Sequence, residues 1–197
     1  MIRLFDIIFS FFGLIILSPV LILIAIWIKL DSPGSMLYRQ KRVGLYGKDF
    51  MLLKFRSMRI DADKAGLLTV GGRDSRITTA GYYLRKYKLD ELPQLINVLI
   101  GNMSLVGPRP EVRKYVDLYT ETQQKVLTVR PGITDMASIA YKNENELLAA
   151  SADPEKTYIE QVMPEKLKLN LLFIEKPSLA NYFKIIFKTI LPFNPSH

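Results

Sequence analysis

Apolar residues crowd the start of the chain. Phe11–Leu30, FFGLIILSPVLILIAIWIKL, is almost wholly apolar, with the pair Ser18-Pro19 at its middle. Extended to Leu4–Leu30, the run forms a helix long enough to cross a hydrocarbon core of roughly 30 Å at about 1.5 Å per residue. It is too long for the core of a secretory signal peptide, and no small-residue cleavage site follows it. Two membrane readings stay open. A single spanning helix accounts for the hydropathy. A re-entrant helix, which enters the bilayer, bends and returns, accounts for Ser18-Pro19. Proline deletes a helical hydrogen bond and crowds the carbonyl four residues back. The serine hydroxyl can satisfy a carbonyl freed in lipid. The flanking charges, Arg3 and Asp6 before and Lys29 and Asp31 after, favour neither reading.

Beyond Leu30 the pattern turns globular. The turn cluster DSPGS, Asp31–Ser35, ends the apolar run. MLYRQKRVGLYGKDFMLLKFRSM predicts two short strands around a turn at Gly44 to Gly47. The polar stretch from Arg59 to Thr79, with Gly66, Gly71 and Gly72, predicts a loop. Gly81–Lys88 predicts a short basic helix. A second helix is expected from near Asp90 through LPQLINVLIG, with Leu92, Leu95, Ile96 and Leu99 on one face. Glu111–Leu127 predicts an amphipathic helix, RPGIT at Arg130–Thr134 a loop, and the residues to about Asp153 a mixed segment. LANYFKIIFKTILPF aligns Phe183, Ile186, Phe187 and Ile190 on one helix face beside Lys184 and Lys188. That pattern suits an interfacial helix or an ordinary core-packing one. The fold class expected is helix-rich α/β (α+β), with short strands and a membrane-embedded N-terminal helix. The division expected is 1–32 for the membrane helix and 33–197 for the remainder.

Charge narrows the partners. The 197 residues carry a formal net charge of +8. Basic residues spread along the chain suit an anionic membrane surface or a phosphate-bearing substrate. No nucleic-acid-binding signature accompanies them, so nucleic acid is not expected as a partner. There is no cysteine, and the single histidine is His197. Disulfides, thiolate–metal sites and histidine catalysis are therefore set aside.

Candidate chemistry concentrates in KLDELPQL. Asp90 and Glu91 are adjacent carboxylates at an expected helix start. A helix-capping role explains them. So does a catalytic one, in which one carboxylate attacks an electrophile while its neighbour holds a hard cation such as Mg²⁺. Basic residues surround the pair: Arg85 before it, Lys54 and Arg56 in KFRSM, which on a strand would point to one face, Arg109 between Pro108 and Pro110, and Arg130 before a Pro-Gly turn. Flanking prolines pre-organise an arginine fork for phosphate oxygens. Four basic clusters around two carboxylates point to phosphoryl chemistry at a membrane surface. A non-catalytic module that grips anionic lipid through its basic face is the alternative.

These residues, taken in order, resemble the bacterial sugar transferases, specifically the small monotopic polyprenol-phosphate phosphoglycosyl transferases. The resemblance runs from Ser18-Pro19 through the Gln40, Arg42, Gly44, Gly47 and Phe50 pattern. It continues through KFRSM, RIT at Arg76–Thr78, LRKYKLDELPQLINVLIGNMSLVGPRP at Leu84–Pro110, and RPGIT. It implies that Asp90 is the nucleophile on the β-phosphate of a UDP-sugar, releasing UMP, and that undecaprenyl phosphate then takes the phosphosugar. Glu91 is implied to hold Mg²⁺. Arg85 and Arg109 are implied to bind phosphate, with Lys54, Arg56 and Arg130 as weaker candidates. Small relatives include enzymes using N-acetylated amino and diamino sugars, so such a donor is expected. The resemblance also implies a helix made re-entrant by a break at Ser18-Pro19, and a monotopic protein in the bacterial inner membrane. Its catalytic domain would face the cytoplasm, in contact with membrane lipids, and a homodimer is a candidate assembly. The chain departs from the family pattern where many relatives read RPGITGW and it has Asp135 and Met136. It also departs at Asn170, where relatives carry the Asp of LDxYY, and at Tyr182, the acidic position of SxxxDLK.

Overall fold

The computed structural model describes residues 2–62, 74–175 and 177–190. Gly66, Gly71, Gly72 and His197 lie outside them. Helix α1 (Ile2–Asp31) is one continuous element with Pro19 inside it. The expected break at Ser18-Pro19 is thus not an interruption of the helix. Pro19 has no N–H to give the Ile15 carbonyl, and Ser18 Oγ donates to that carbonyl at 2.7 Å instead. One long face of α1 is turned to the body through Asp6, Ser10, Ile24 and Ile28. The other leaves Phe12, Ile16, Val20, Leu23 and Trp27 exposed.

Strands β1 (Leu37–Val43) and β2 (Asp49–Phe55) form the expected hairpin, antiparallel, with Leu37 opposite Phe55 and Val43 opposite Asp49. Helix α2 (Thr79–Lys86) is capped by Thr78, whose Oγ1 accepts from the Gly81 N–H at 3.0 Å. A 3₁₀ turn, Leu89–Glu91, leads to α3 (Gln94–Ile100). Strand β3 (Ser104–Val106) pairs in parallel with β4 (Gly132–Thr134), Ser104 opposite Gly132.

The long helix expected over Glu111–Leu127 is instead divided into α4 (Arg113–Val116), α5 (Glu121–Gln124) and a 3₁₀ turn, Lys125–Thr128. Thr120 explains the division: its side chain accepts from Gln123 N–H while Gln123 reaches back to its backbone, a capping box that starts a new helix. Helices α6 (Met136–Ala140), α7 (Glu144–Ala149) and α8 (Pro154–Thr157) follow. A π turn, Tyr158–Val162, then joins α9 (Met163–Glu175), and α10 (Leu179–Ile190) comes last.

Helix α1 shares its core with the body. Ile24 and Ile28 pack with Phe55 and Leu84. At its other end Arg3 donates to the Val98 and Leu99 carbonyls at 2.7 and 3.1 Å, placing a cation at the C-terminus of α3. Asp6 Oδ1 accepts from Ser104 Oγ, Leu105 N and Tyr182 Oη at 3.0, 2.9 and 2.7 Å. Tyr182 and Ile185 turn α10 into the core, Phe183 and Ile186 pack against that core, and Phe187 stays exposed.

Candidate active site

The Asp90-Glu91 pair sits on the 3₁₀ turn between α2 and α3. Lys88, in the left-handed region at φ 58°, reverses the chain after α2. Leu89 and Leu92 anchor the turn on the Ile28, Phe55 and Leu84 cluster. Helix α3 starts at Gln94, later than expected, and its cap position is Pro93, which supplies no capping side chain. Asp90 is therefore not a helix cap. Nor is the buried face of α3 the aliphatic one expected: Gln94, Asn97 and Val98 are buried, while Leu95 lies over Gly13 of α1. Asn97 acts as an edge for β2, accepting from Leu53 N at 2.9 Å and donating to the Met51 carbonyl at 2.8 Å. That contact fixes Lys54 beside the carboxylates.

The two carboxylates differ sharply in their surroundings. Glu91 Oε1 accepts from Lys54 Nζ at 3.0 Å and from Arg109 Nη2, while Oε2 faces Arg109 Nη1 at 3.4 Å. Burial pushes the Glu91 carboxyl upward, but the Arg109 guanidinium and Lys54 ammonium overcome it and hold it well below the usual carboxylate range. Arg109 is raised in turn, chiefly by Glu91. Asp90 is 6% exposed, and its carboxylate takes no hydrogen bond among the described residues. Burial pushes it up from its ordinary value, Lys54 pulls it down, and the Glu91 charge adds to the rise.

The structure thus brings Asp90, Glu91, Lys54 and Arg109 together. Arg85 is half-buried one turn away, near enough to favour the Asp90 charge, and has no ion pair among the described residues. Arg56 and Arg130 lie elsewhere. Strand β2 ends at Phe55, so the alternation expected to align Arg56 with Lys54 stops there. The Arg56 guanidinium donates to Ser32 O and Ser32 Oγ at 2.7 and 2.9 Å, closing the end of α1. Arg130 Nε donates to the Gly101 carbonyl at 2.9 Å, past the far end of α3 from the pair.

Behind Arg109 stands a network that sequence reasoning missed. Arg42 donates to Glu111 Oε1 at 3.0 Å and to the Pro110 carbonyl at 3.1 Å, and Tyr158 Oη donates to Glu111 Oε2 at 2.5 Å. Asp135 Oδ2 accepts from Arg109 N at 3.0 Å and from Asn170 Nδ2 at 3.1 Å. Asp135 and Asn170, two departures from the family pattern, are thus partners, and Tyr182, the third, bonds Asp6. The signal available in sequence was that Asp135 and Asn170 both depart from the family pattern; that they meet depends on the fold, which no spacing rule detects.

Among the described residues no three His, Cys, Asp or Glu side chains gather as a metal cage. What the donor set suits is a hard cation that takes one or two carboxylate oxygens and completes its shell with phosphate oxygens and water.

The family model described as "Bacterial sugar transferase" matches residues 1–194. The chain is 35% identical over 189 residues to a UDP-glucose:undecaprenyl-phosphate glucose-1-phosphate transferase of Escherichia coli, covering 94% of this chain and 38% of that protein. It is 37% identical over 188 residues to the UDP-N-acetylgalactosamine-undecaprenyl-phosphate N-acetylgalactosaminephosphotransferase of Aeromonas hydrophila, 94% of this chain and 41% of that one. With the exopolysaccharide production protein PSS of Rhizobium leguminosarum it shares 43% identity over 145 residues, 70% of this chain and 72% of that one. The chain spans about two fifths of the length of the first two of these relatives. A match across nearly every residue, over a site of paired carboxylates and phosphate-ready cations, shows that the chain belongs to the bacterial sugar transferase family.

Proposed function

We propose that the chain moves a sugar 1-phosphate from a UDP-sugar to undecaprenyl phosphate and releases UMP. This would be the first membrane step in building a bacterial glycoconjugate. The observation that carries the reading is the unequal pair: Glu91 is clamped by two cations, while Asp90 is buried and takes no hydrogen bond among the described residues. Burial disfavours the Asp90 charge. A lipid-binding module has no use for it, whereas a nucleophile needs its lone pairs free.

An Asp90 oxygen attacks the β-phosphorus, the bond from that phosphorus to the bridging oxygen breaks, and UMP leaves with the oxygen. The phosphosugar then sits on the carboxylate until a phosphate oxygen of undecaprenyl phosphate displaces Asp90 from phosphorus. Arg109 and Lys54 exchange Glu91 for the incoming diphosphate, and Arg85 supplies a further cation. Such electrostatic clamping dominates phosphoryl transfer. Glu91, so released, would hold Mg²⁺, which when bound offsets charge on the leaving UMP. The donor expected is an N-acetylated amino or diamino sugar, and the Aeromonas relative, named for N-acetylgalactosamine, supports that class.

Both ends of α1 pack on the same charged body, Arg3 and Asp6 at one end and Ile28 and Asp31 at the other. That arrangement supports a re-entrant, monotopic helix, with the site facing the cytoplasm of the inner membrane where UDP-sugars are made. The test is UMP release from a panel of UDP-sugars by the solubilised protein with Mg²⁺, with and without undecaprenyl phosphate. Intact mass spectrometry on the same samples should find a phosphosugar adduct, absent in Asp90→Asn. Failure of every UDP-sugar to yield UMP, or full activity in Asp90→Asn, overturns the proposal.

A further inference from the structure

The triplet Pro108-Arg109-Pro110 offers one backbone N–H, because neither proline has one. Each residue of the triplet is held by a separate contact. The Pro108 carbonyl accepts from Gly132 N at 3.0 Å. The Pro110 carbonyl accepts from Arg42 Nη1 at 3.1 Å. The single N–H, that of Arg109, goes to Asp135 Oδ2. Asp135 is 1% exposed, and its other oxygen, Oδ1, caps α6 by accepting from Ser138 N at 2.5 Å. Capping alone needs one oxygen. The second ties α6 to the arginine loop and, through Asn170 Nδ2, to α9. Asn170 is 4% exposed, and its Oδ1 has no hydrogen-bond partner among the described residues. It lines a cavity of about 30 Å³ with Pro108, Arg109 and Pro110. A buried amide kept with half its hydrogen-bonding unmet is spent on orienting Asp135.

We propose that Asp135, steadied by Asn170, is a positioning residue that sets the direction of the Arg109 guanidinium toward the donor diphosphate. The inference rests on the reading of Arg109 as a phosphate ligand. Asp135 touches no substrate in this role. It fixes the one backbone donor from which the Arg109 side chain departs, and a small misplacement of such a group is costly in rate and affinity.

Asp135→Asn and Asp135→Ser test it. Each keeps an oxygen able to cap Ser138 N–H, and each lacks the second carboxylate oxygen that takes the Arg109 N–H. Three readings are made on full-length protein in nanodiscs, with thermal unfolding to confirm folding. Hydrogen exchange of the Arg109 amide should speed up in both variants. Affinity for inorganic diphosphate with Mg²⁺ should fall about tenfold. No further loss should appear when either is combined with Arg109→Ala, whereas a merely structural role adds its loss in that background. Unchanged exchange at Arg109, unchanged diphosphate affinity, or an additive loss beside Arg109→Ala each overturns the proposal. Absence of diphosphate binding by the wild-type protein does the same. If the wild type binds diphosphate but yields no UMP from any UDP-sugar, the reaction fails while the positioning role is still judged by these readings.

Discussion

Asp90 and Glu91 are neighbours in sequence with opposite effects on the fold. The buried Glu91 charge is matched by Lys54 and Arg109, so its ionisation stabilises the native state. Asp90 is buried with no hydrogen bond among the described residues, and burial raises its carboxyl above the ordinary value of 3.8. A raised carboxyl favours the fold fully below that ordinary value and loses the contribution as pH rises through its native pKa. At neutral pH the Asp90 charge therefore opposes folding. Asp90→Asn is expected to raise thermal stability at pH 7 by about 0.5–2 kcal/mol while abolishing UMP release. The gain should shrink on acidification and be lost below the ordinary value of 3.8, where the carboxyl is protonated in both the folded and the unfolded chain. Calorimetry across that range checks it, and an Asp90→Asn protein less stable than wild type at pH 7 contradicts this electrostatic account. The carboxylate pair and the arginine between prolines were legible in sequence because each is a short local pattern. Arg56 was not placed correctly, since strand alternation says nothing beyond the last paired residue. The role of Asp135 was invisible because its meaning depends on positions 109 and 170.

At the level of elements, close backbone approaches hold the site. A Cβ on Gly81 would collide with the Ser57 backbone, where α2 leans on the end of the β2 segment, and neither partner is a movable side chain. Gly81→Ala should destabilise the protein by about 1–3 kcal/mol or more. Gly13→Ala is the contrasting case: its Cβ would lie 3.5 Å from a Leu95 methyl, an ordinary contact. There the helix propensity of alanine should leave stability unchanged or improve it by up to about 1 kcal/mol. Thermal unfolding of the two variants side by side reads the difference, and equal losses would refute the packing described. Elements with a strong period and a turn between them, such as the β1–β2 hairpin, were readable in advance. Glu111–Leu127 was not, because its apolar spacing survives the capping box at Thr120 that cuts it. The start of α3 was set by tertiary anchoring of Leu89 and Leu92 rather than by the capping propensity of Asp90.

For the molecule as a whole, α1 decides how the site meets the bilayer. Leu4 and Leu30, near its two ends, are 61% and 82% exposed, and the chain has no native cysteine to confuse labelling. Leu4→Cys and Leu30→Cys should both resist an impermeant maleimide added to intact cells, and both should react after permeabilisation. Labelling of either one from outside would mean a spanning helix. Hydropathy marks a helix long and apolar enough to cross a membrane but does not choose between span and return, and the contacts of Arg3, Asp6 and Ile28 support the return proposed above. The backbone contact between Gly107 and Gly132 extends this whole-molecule dependence to protein engineering. A Cβ on Gly132 would strike the Gly107 backbone and one on Gly107 would strike the Arg130 carbonyl, so the loops carrying Arg109 and Arg130 meet there back to back. A chimera that imports the Arg109 loop from a relative, in search of a new donor sugar, imports only one half of a matched seam. The smallest transplantable cassette is both loops together with residue 135.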